Sequence, residues 1–121
     1  MQTGDSSGAT VNYTFVETST FTRRVSRFGL DEDLRILQGE LLRNPRTGDT
    51  ESGTGGLRKV RMGDSTRGQG KSFGARVHYA LAEQRRRIYL VFVYGKDESS
   101  GLSSAQKKQI RAMVHALVTE L

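Results

Sequence analysis

The chain of 121 residues has no cysteine and only two histidines. Without cysteine it can form neither a disulfide framework nor a thiolate metal site, and two histidines far apart in the sequence disfavour a zinc site. The longest apolar run, residues 88–94, is far too short to span a bilayer, and no signal-peptide pattern precedes it. We therefore expect a cytoplasmic protein that uses no metal or cofactor and does not bind a membrane.

Acidic residues are scarce in one third of the chain. Residues 57–96 contain ten basic and two acidic residues, a net charge of +8, whereas the remainder contains nine basic and eleven acidic residues, a net charge of −2. The whole excess of positive charge therefore lies in one segment. This concentration indicates an anionic partner that binds there.

Hydrophobic periodicity predicts a single domain over residues 13–121, preceded by a flexible polar extension over residues 1–12. The expected elements are a strand, two helices, three strands and a C-terminal helix, at residues 13–17, 18–29, 31–45, 57–62, 75–81, 88–95 and 103–121. This β-α-α-β-β-β-α order predicts an α+β fold, with helices on one face of a small, mainly antiparallel sheet. Residues 46–56, rich in glycine, are predicted to be a mobile loop.

The first helix has an apolar stripe. Phe21, Val25 and Phe28 recur at helical spacing and are predicted to face the core, and Thr18 or Ser19 can cap the N-terminus. Leucines at the same spacing predict the buried face of the second helix, at positions 34, 37 and 41.

Basic side chains occupy alternate positions of two predicted strands. Lys59 and Arg61 share one face of the first, and Arg76 and His78 share one face of the second. If the apolar residues between them pack on the helices, these four side chains converge on the uncovered face as a cationic site. Further contacts to RNA phosphates are expected from Arg58, Arg67, Lys71 and Lys96. The alternative is an ordinary solvated sheet face.

Other kinds of catalytic site have little support. Residues 63–72, which end in Gly-Lys-Ser, lack the spacing of a phosphate-binding P-loop. Carboxylates are too sparse near the basic strands for two-metal nuclease chemistry. A metal-free ribonuclease is compatible with the sequence, because the RNA 2′-OH can attack the adjacent phosphate while lysine and arginine stabilise the developing charge.

Five segments that span about Tyr13 to Leu121 carry a family resemblance: FVETSTFTRRV, LLRNPRTGD, GTGGLRKVRM…GARVHYAL, RIYLVFVYGKDE and LSSAQKKQIRAMV. In their order and motifs they resemble the RelE/ParE superfamily of type II toxins, closest to its HigB-like RelE branch. The resemblance implies a ribosome-dependent mRNA endoribonuclease that inhibits translation. It also implies a cognate antitoxin, often with a helix-turn-helix domain. The toxin would contact operator DNA only indirectly, through this antitoxin.

The resemblance also implies roles for individual residues. The basic pair of the family's second strand matches Lys59 and Arg61, and its arginine opening the third strand matches Arg76. Members often carry a further arginine and a tyrosine after the last strand, where this chain has neither. The identity of the general base is therefore open. Either His78 or Tyr94 takes this role, or the reaction relies on charge and geometry alone.

Two other functions stay open from the sequence. A ParE-like toxin of the same fold would act on DNA gyrase and need no nuclease site. A non-catalytic RNA-binding module is the third possibility, although the stacking-aromatic pattern of RNA-recognition domains is absent from the sequence.

Overall fold

The computed structural model describes residues 12–63, 74–95 and 103–119. Within these ranges the elements are, in chain order, β1 (Thr14–Glu17), α1 (Ser19–Phe28), α2 (Asp31–Arg43), β2 (Asp49–Thr50), β3 (Arg58–Met62), β4 (Ala75–Ala82), β5 (Arg87–Gly95) and α3 (Ser104–Thr119). The predicted α+β class and element order are confirmed, and β2 is additional. Apart from Asn12, the predicted extension lies outside the described residues.

The strands form one mixed sheet in the order β1-β5-β4-β3-β2. β1 pairs with β5 in parallel, and the other three pairings are antiparallel. A tight turn joins β4 to β5, and Arg86 takes up a positive φ of 55° there. The sheet is therefore mainly antiparallel, as predicted, with one parallel edge.

α1 and α2 pack together on one face of the sheet. Their buried side chains, Phe21, Val25, Leu34, Leu37 and Leu41, belong to one cluster with Val77, Tyr79, Ile88, Leu90 and Val93 of the strands. The predicted stripe of α1 is wrong at one position, since Phe28 is 43% exposed. α1 ends there, because Gly29 adopts the left-handed conformation (φ 66°) that closes the helix. The ring of Phe28 is thus left outside the core.

α3 packs on the opposite face. The expectation that this face of the sheet stays uncovered is therefore wrong where α3 lies. Val114 of α3 is fully buried against Ala80 and Ala82, two small residues over which a helix can lie closely. A register shift between His78 and Tyr79 makes Val91 an extra residue in β5, and Val91 joins the α3 cluster. The basic residues of β3 and β4 lie outside this cluster.

α1 also satisfies the edge of β5 where β1 has ended. The Thr18 amide donates to the Leu90 carbonyl at 3.1 Å, and the Thr18 hydroxyl donates to the Val91 carbonyl at 2.8 Å. Two residues further on, Arg24 Nε donates to the Val93 carbonyl at 2.6 Å. The N-cap residue Thr18 and the side chain of Arg24 thereby provide hydrogen bonds that a longer β1 would otherwise have made.

The segment predicted as a mobile loop, residues 46–56, is instead tied to the sheet. β2 pairs with β3, and the buried Tyr79 hydroxyl donates to the Pro45 carbonyl at 2.7 Å and accepts the Gly48 amide at 2.9 Å. A Cβ on Gly48 would lie 2.9 Å from the Tyr79 ring, so only glycine permits this approach. The sequence prediction missed this arrangement because the partner, Tyr79, is 31 residues away.

None of the helices in the described ranges combines the length and apolar character that crossing a bilayer requires.

Replacing Tyr79 with phenylalanine removes the hydroxyl that holds Pro45 and Gly48 and leaves both backbone groups without that partner. We expect Tyr79→Phe to lower the free energy of unfolding by about 1–3 kcal/mol, measured by urea denaturation. The matched control is Tyr89→Phe, whose hydroxyl accepts one long hydrogen bond, 3.4 Å from Arg87 Nη1, and which should cost about 0.5 kcal/mol or less. Equal losses in the two variants would contradict the anchoring role.

Candidate nucleic-acid interface

The structure brings the four predicted catalytic residues together. In the antiparallel pairing of β3 with β4, Lys59 lies opposite His78 and Arg61 lies opposite Arg76. Residues directly opposite share a face, with Cβ atoms roughly 5 Å apart. The intervening pair, Val60 and Val77, points into the α1–α2 core. Two neighbouring cross-strand pairs therefore present three cations and one imidazole on the face away from α1 and α2.

Glu51 joins the Lys59–His78 pair and was missed by the sequence prediction. Its Oε1 lies 3.3 Å from His78 Nε2 and 3.8 Å from Lys59 Nζ. The Glu51 amide donates to the Leu57 carbonyl at 2.8 Å, which continues the β2–β3 pairing and puts Glu51 diagonal to Lys59. Nothing in the local sequence marks this glutamate, because it lies in a glycine-rich stretch whose pairing only the fold defines.

His78 is enclosed, with 1% of its surface exposed. Desolvation lowers the pKa of His78 below its ordinary value of 6.5, and the nearby Glu51 carboxylate opposes this only in part. The ring is therefore neutral at pH 7 and donates from Nε2 to the Glu51 carboxylate. In this state His78 holds Glu51 in place.

The Arg61–Arg76 pair differs because no carboxylate among the described residues is paired with either side chain. Like charges directly opposite on neighbouring strands destabilise a sheet. In addition, Arg76 Nη1 is buried and has no hydrogen-bond partner in the described part of the chain, which costs free energy that a bound acceptor would recover. This pair is the part of the site best suited to receive an anion from outside.

Aromatic rings of β5 form one wall of the site. Tyr94 lies opposite Arg76 in the sheet and Phe92 lies opposite His78. The ring centroids of His78 and Tyr94 are 5.4 Å apart, and those of Phe92 and Tyr94 are 5.8 Å apart. The cationic pairs are thus bordered by aromatic rings in tilted contact, with interplanar angles of 51° and 33°.

The other predicted RNA contacts are not brought into this group. Arg58 lies on the face of Tyr79, and its Nη1 donates to the carbonyls of Gly48, at 2.6 Å, and Arg46, at 3.1 Å. This guanidinium therefore fastens the segment before β2. Three further candidates, Arg67, Lys71 and Lys96, lie outside the described residues, and their contacts to RNA stay predictions.

No protein-family model matches the chain. Among the described residues, no three histidine, cysteine, aspartate or glutamate side chains lie together as metal ligands could. The side chains that the site offers are two guanidinium groups, without a carboxylate partner among the described residues, and a carboxylate held between an ammonium and a neutral imidazole.

The lowered pKa of His78 makes stability depend on pH. Because the unfolded chain keeps the ordinary histidine pKa, acidification through about pH 6.5 protonates the unfolded state before the folded one. We therefore expect the free energy of unfolding to fall between about pH 7.5 and 5.5, measured by urea denaturation at each pH. His78→Gln should flatten this dependence.

The matched control is His115→Gln, which removes an exposed imidazole on α3 and should keep the pH dependence of the wild type. If His78→Gln kept it as well, burial of the His78 ring would not be its source.

Proposed function

We propose that this chain is a metal-independent endoribonuclease that cuts mRNA on the ribosome, as the toxin of a type II toxin–antitoxin pair. The observation that carries the proposal is the Arg61–Arg76 pair, which has no carboxylate partner among the described residues and a buried nitrogen without an acceptor. A phosphate group supplies both the negative charge and the acceptors. The ribosome and an antitoxin with a helix-turn-helix domain are proposed as partners because of the resemblance to HigB-like toxins.

In this proposal the scissile phosphate binds between Arg61 and Arg76. Guanidinium groups match the spacing of phosphate oxygens and stay charged at every physiological pH. Both are borne by paired strands, so little reorganisation accompanies the reaction. The charge that develops on the phosphate in the transition state then meets donors already in place, which is the largest single source of rate enhancement in many enzymes.

The reaction is an in-line transesterification. The ribose 2′-oxygen forms a bond to phosphorus and loses its proton, while the bond from phosphorus to the 5′-oxygen breaks and that oxygen gains a proton. The products are a 2′,3′-cyclic phosphate and a 5′-hydroxyl, with no net gain or loss of protons. The nucleophile belongs to the substrate, so the protein has to supply position, charge and proton transfer.

Glu51 is the base that this geometry favours. The sequence left the choice of base open between His78 and Tyr94, which are only 1% and 3% exposed. The Glu51 carboxylate is held by His78 and is partly open, since its side chain is 16% exposed. His78 then acts as a positioning residue through Glu51. Lys59, whose ammonium lies beside Glu51, is suited to protonate the leaving 5′-oxygen.

Removal of Arg76 tests the phosphate site. We expect Arg76→Ala to fold and to reduce cleavage by about 10²–10³-fold, the usual cost of one transition-state donor. The measurement is a brief induction in growing bacteria, followed by mapping of new mRNA 5′ ends. Wild type should give new ends within translated regions and in frame with the codons, and Arg76→Ala should give none.

The control for charge alone is Arg35→Ala, since Arg35 is exposed on α2 and pairs with Glu32; this variant should cut as wild type does. Full cleavage by Arg76→Ala would reject the assignment of the site. Arrested growth with intact mRNA would favour the gyrase-directed alternative, and intact mRNA with normal growth would favour the binding module.

Neutralising Glu51 tests the base. Glu51→Gln keeps the hydrogen bond from His78 but cannot take a proton, so we expect cleavage of ribosome-bound mRNA to slow by about 10²–10⁴-fold. The initial rate on purified ribosomes measures this, with Glu32→Gln of α2 as the matched control. A Glu51→Gln rate equal to wild type would show that another group accepts the 2′ proton.

A further inference from the structure

α1 carries a basic and aromatic surface that neither the core nor the cleavage site uses. The helix contains three arginines and no acidic residue, at positions 23, 24 and 27. Phe28, at its last position, was expected in the core, yet its ring is 43% exposed and belongs to neither buried cluster. An exposed aromatic ring beside arginines offers a stacking face and positive charge to a ligand.

Each arginine beside Phe28 lies against the ring. The guanidinium carbon of Arg24 is 5.3 Å from the ring centroid, and that of Arg27 is 5.8 Å from it. Arg24 also lies 5.1 Å from the Phe92 ring and donates to the Val93 carbonyl. Arg24 therefore fastens α1 to the strand edge, whereas Arg27 and Phe28 remain at the surface. We call these two residues the α1 ridge.

The α1 ridge is continuous with the cleavage site. Successive contacts connect the two. The ring centroids of His78 and Tyr94 are 5.4 Å apart and those of Tyr94 and Phe92 are 5.8 Å apart. The guanidinium carbon of Arg24 then lies 5.1 Å from the Phe92 centroid and 5.3 Å from the Phe28 centroid. Exposed aromatic rings beside cations are the arrangement that binds single-stranded nucleic acid, since the phosphates meet the cations and the bases stack on the rings.

We propose that the α1 ridge binds a nucleotide of single-stranded RNA that flanks the scissile phosphate, with the base stacked on Phe28 and a phosphate bound by Arg27. This inference rests on the proposed function for the identity of the strand, but it concerns a separate surface. It extends the path of the RNA from the β3–β4 face across the edge of β5 and onto α1.

The test is fluorescence anisotropy with a labelled 12-nucleotide single strand of 2′-O-methyl RNA, which binds but cannot be cut. We expect Phe28→Leu, which keeps the apolar volume, to bind about fivefold or more weakly, and Phe28→Tyr to bind as wild type does. An abasic strand of equal length should bind Phe28→Leu and wild type alike, because it has no base to stack.

Salt dependence separates charge from stacking. Arg27→Gln should lower the slope of log affinity against log salt by about 0.7, the value for one phosphate contact on a single strand, and Phe28→Leu should leave that slope unchanged. The matched controls are Ile36→Ala and Arg35→Gln on α2, whose side chains are also exposed; both should bind as wild type does.

Equal affinity of Phe28→Leu and wild type for the base-containing strand, or no measurable binding of that strand to wild type, would overturn the inference. Weaker binding by Arg61→Gln with unchanged binding by Phe28→Leu would reject the α1 ridge and leave the proposed function intact. Weaker binding by Phe28→Leu in a protein that leaves mRNA uncut in cells would support the α1 ridge and reject the nuclease.

Discussion

The register between β3 and β4 is the constraint on which both the core and the candidate site depend. Val60 opposite Val77 faces α1 and α2, so the pairs on either side, Lys59–His78 and Arg61–Arg76, must face the other way. A shift of one residue would bury these cations and expose the valines. The hydrophobic core on the α1–α2 face of the sheet therefore determines where the cations lie on the opposite face.

The two cross-strand pairs differ in whether their positive charge is neutralised by the protein, and this difference determines which ligand the site can bind. Glu51 provides a counter-charge for Lys59 and a hydrogen-bond partner for His78, so that pair is satisfied within the protein. Among the described residues, no such group serves Arg61 and Arg76. Over the described residues one pair is thus neutralised and the other is not, which suits an anionic ligand that brings its own nucleophile, as RNA does.

Much of the fold followed from local patterns. The stripes of α2, the Thr18 cap and the shared face of Lys59 and Arg61 could be predicted because each depends on residues a few positions apart. The placement of α3 could not, since an amphipathic helix does not reveal which face of a sheet it covers. Ala80 and Ala82 were the signal for that choice, because small side chains admit a helix.

The sequence predicted the cations of the candidate site but not its carboxylate, Glu51. Glu51 reaches His78, 27 residues away, only because Tyr79 and Arg58 fasten the segment that precedes β2. Phe28 was misplaced for a related reason: helical spacing continued to the last residue of α1, but the ring there lies against Arg24 and Arg27 and not in the core. Both errors arise from tertiary contacts that outweigh local periodicity.

The central claim is that the RNA itself provides the nucleophile and that Arg61 and Arg76 stabilise the phosphate it attacks. The most direct test uses purified protein and ribosomes carrying an mRNA with a single 2′-deoxy nucleotide at the mapped cleavage position. We expect a 2′,3′-cyclic phosphate product from the unmodified strand and no cleavage at the modified position. Cleavage of the 2′-deoxy strand at that position would contradict it.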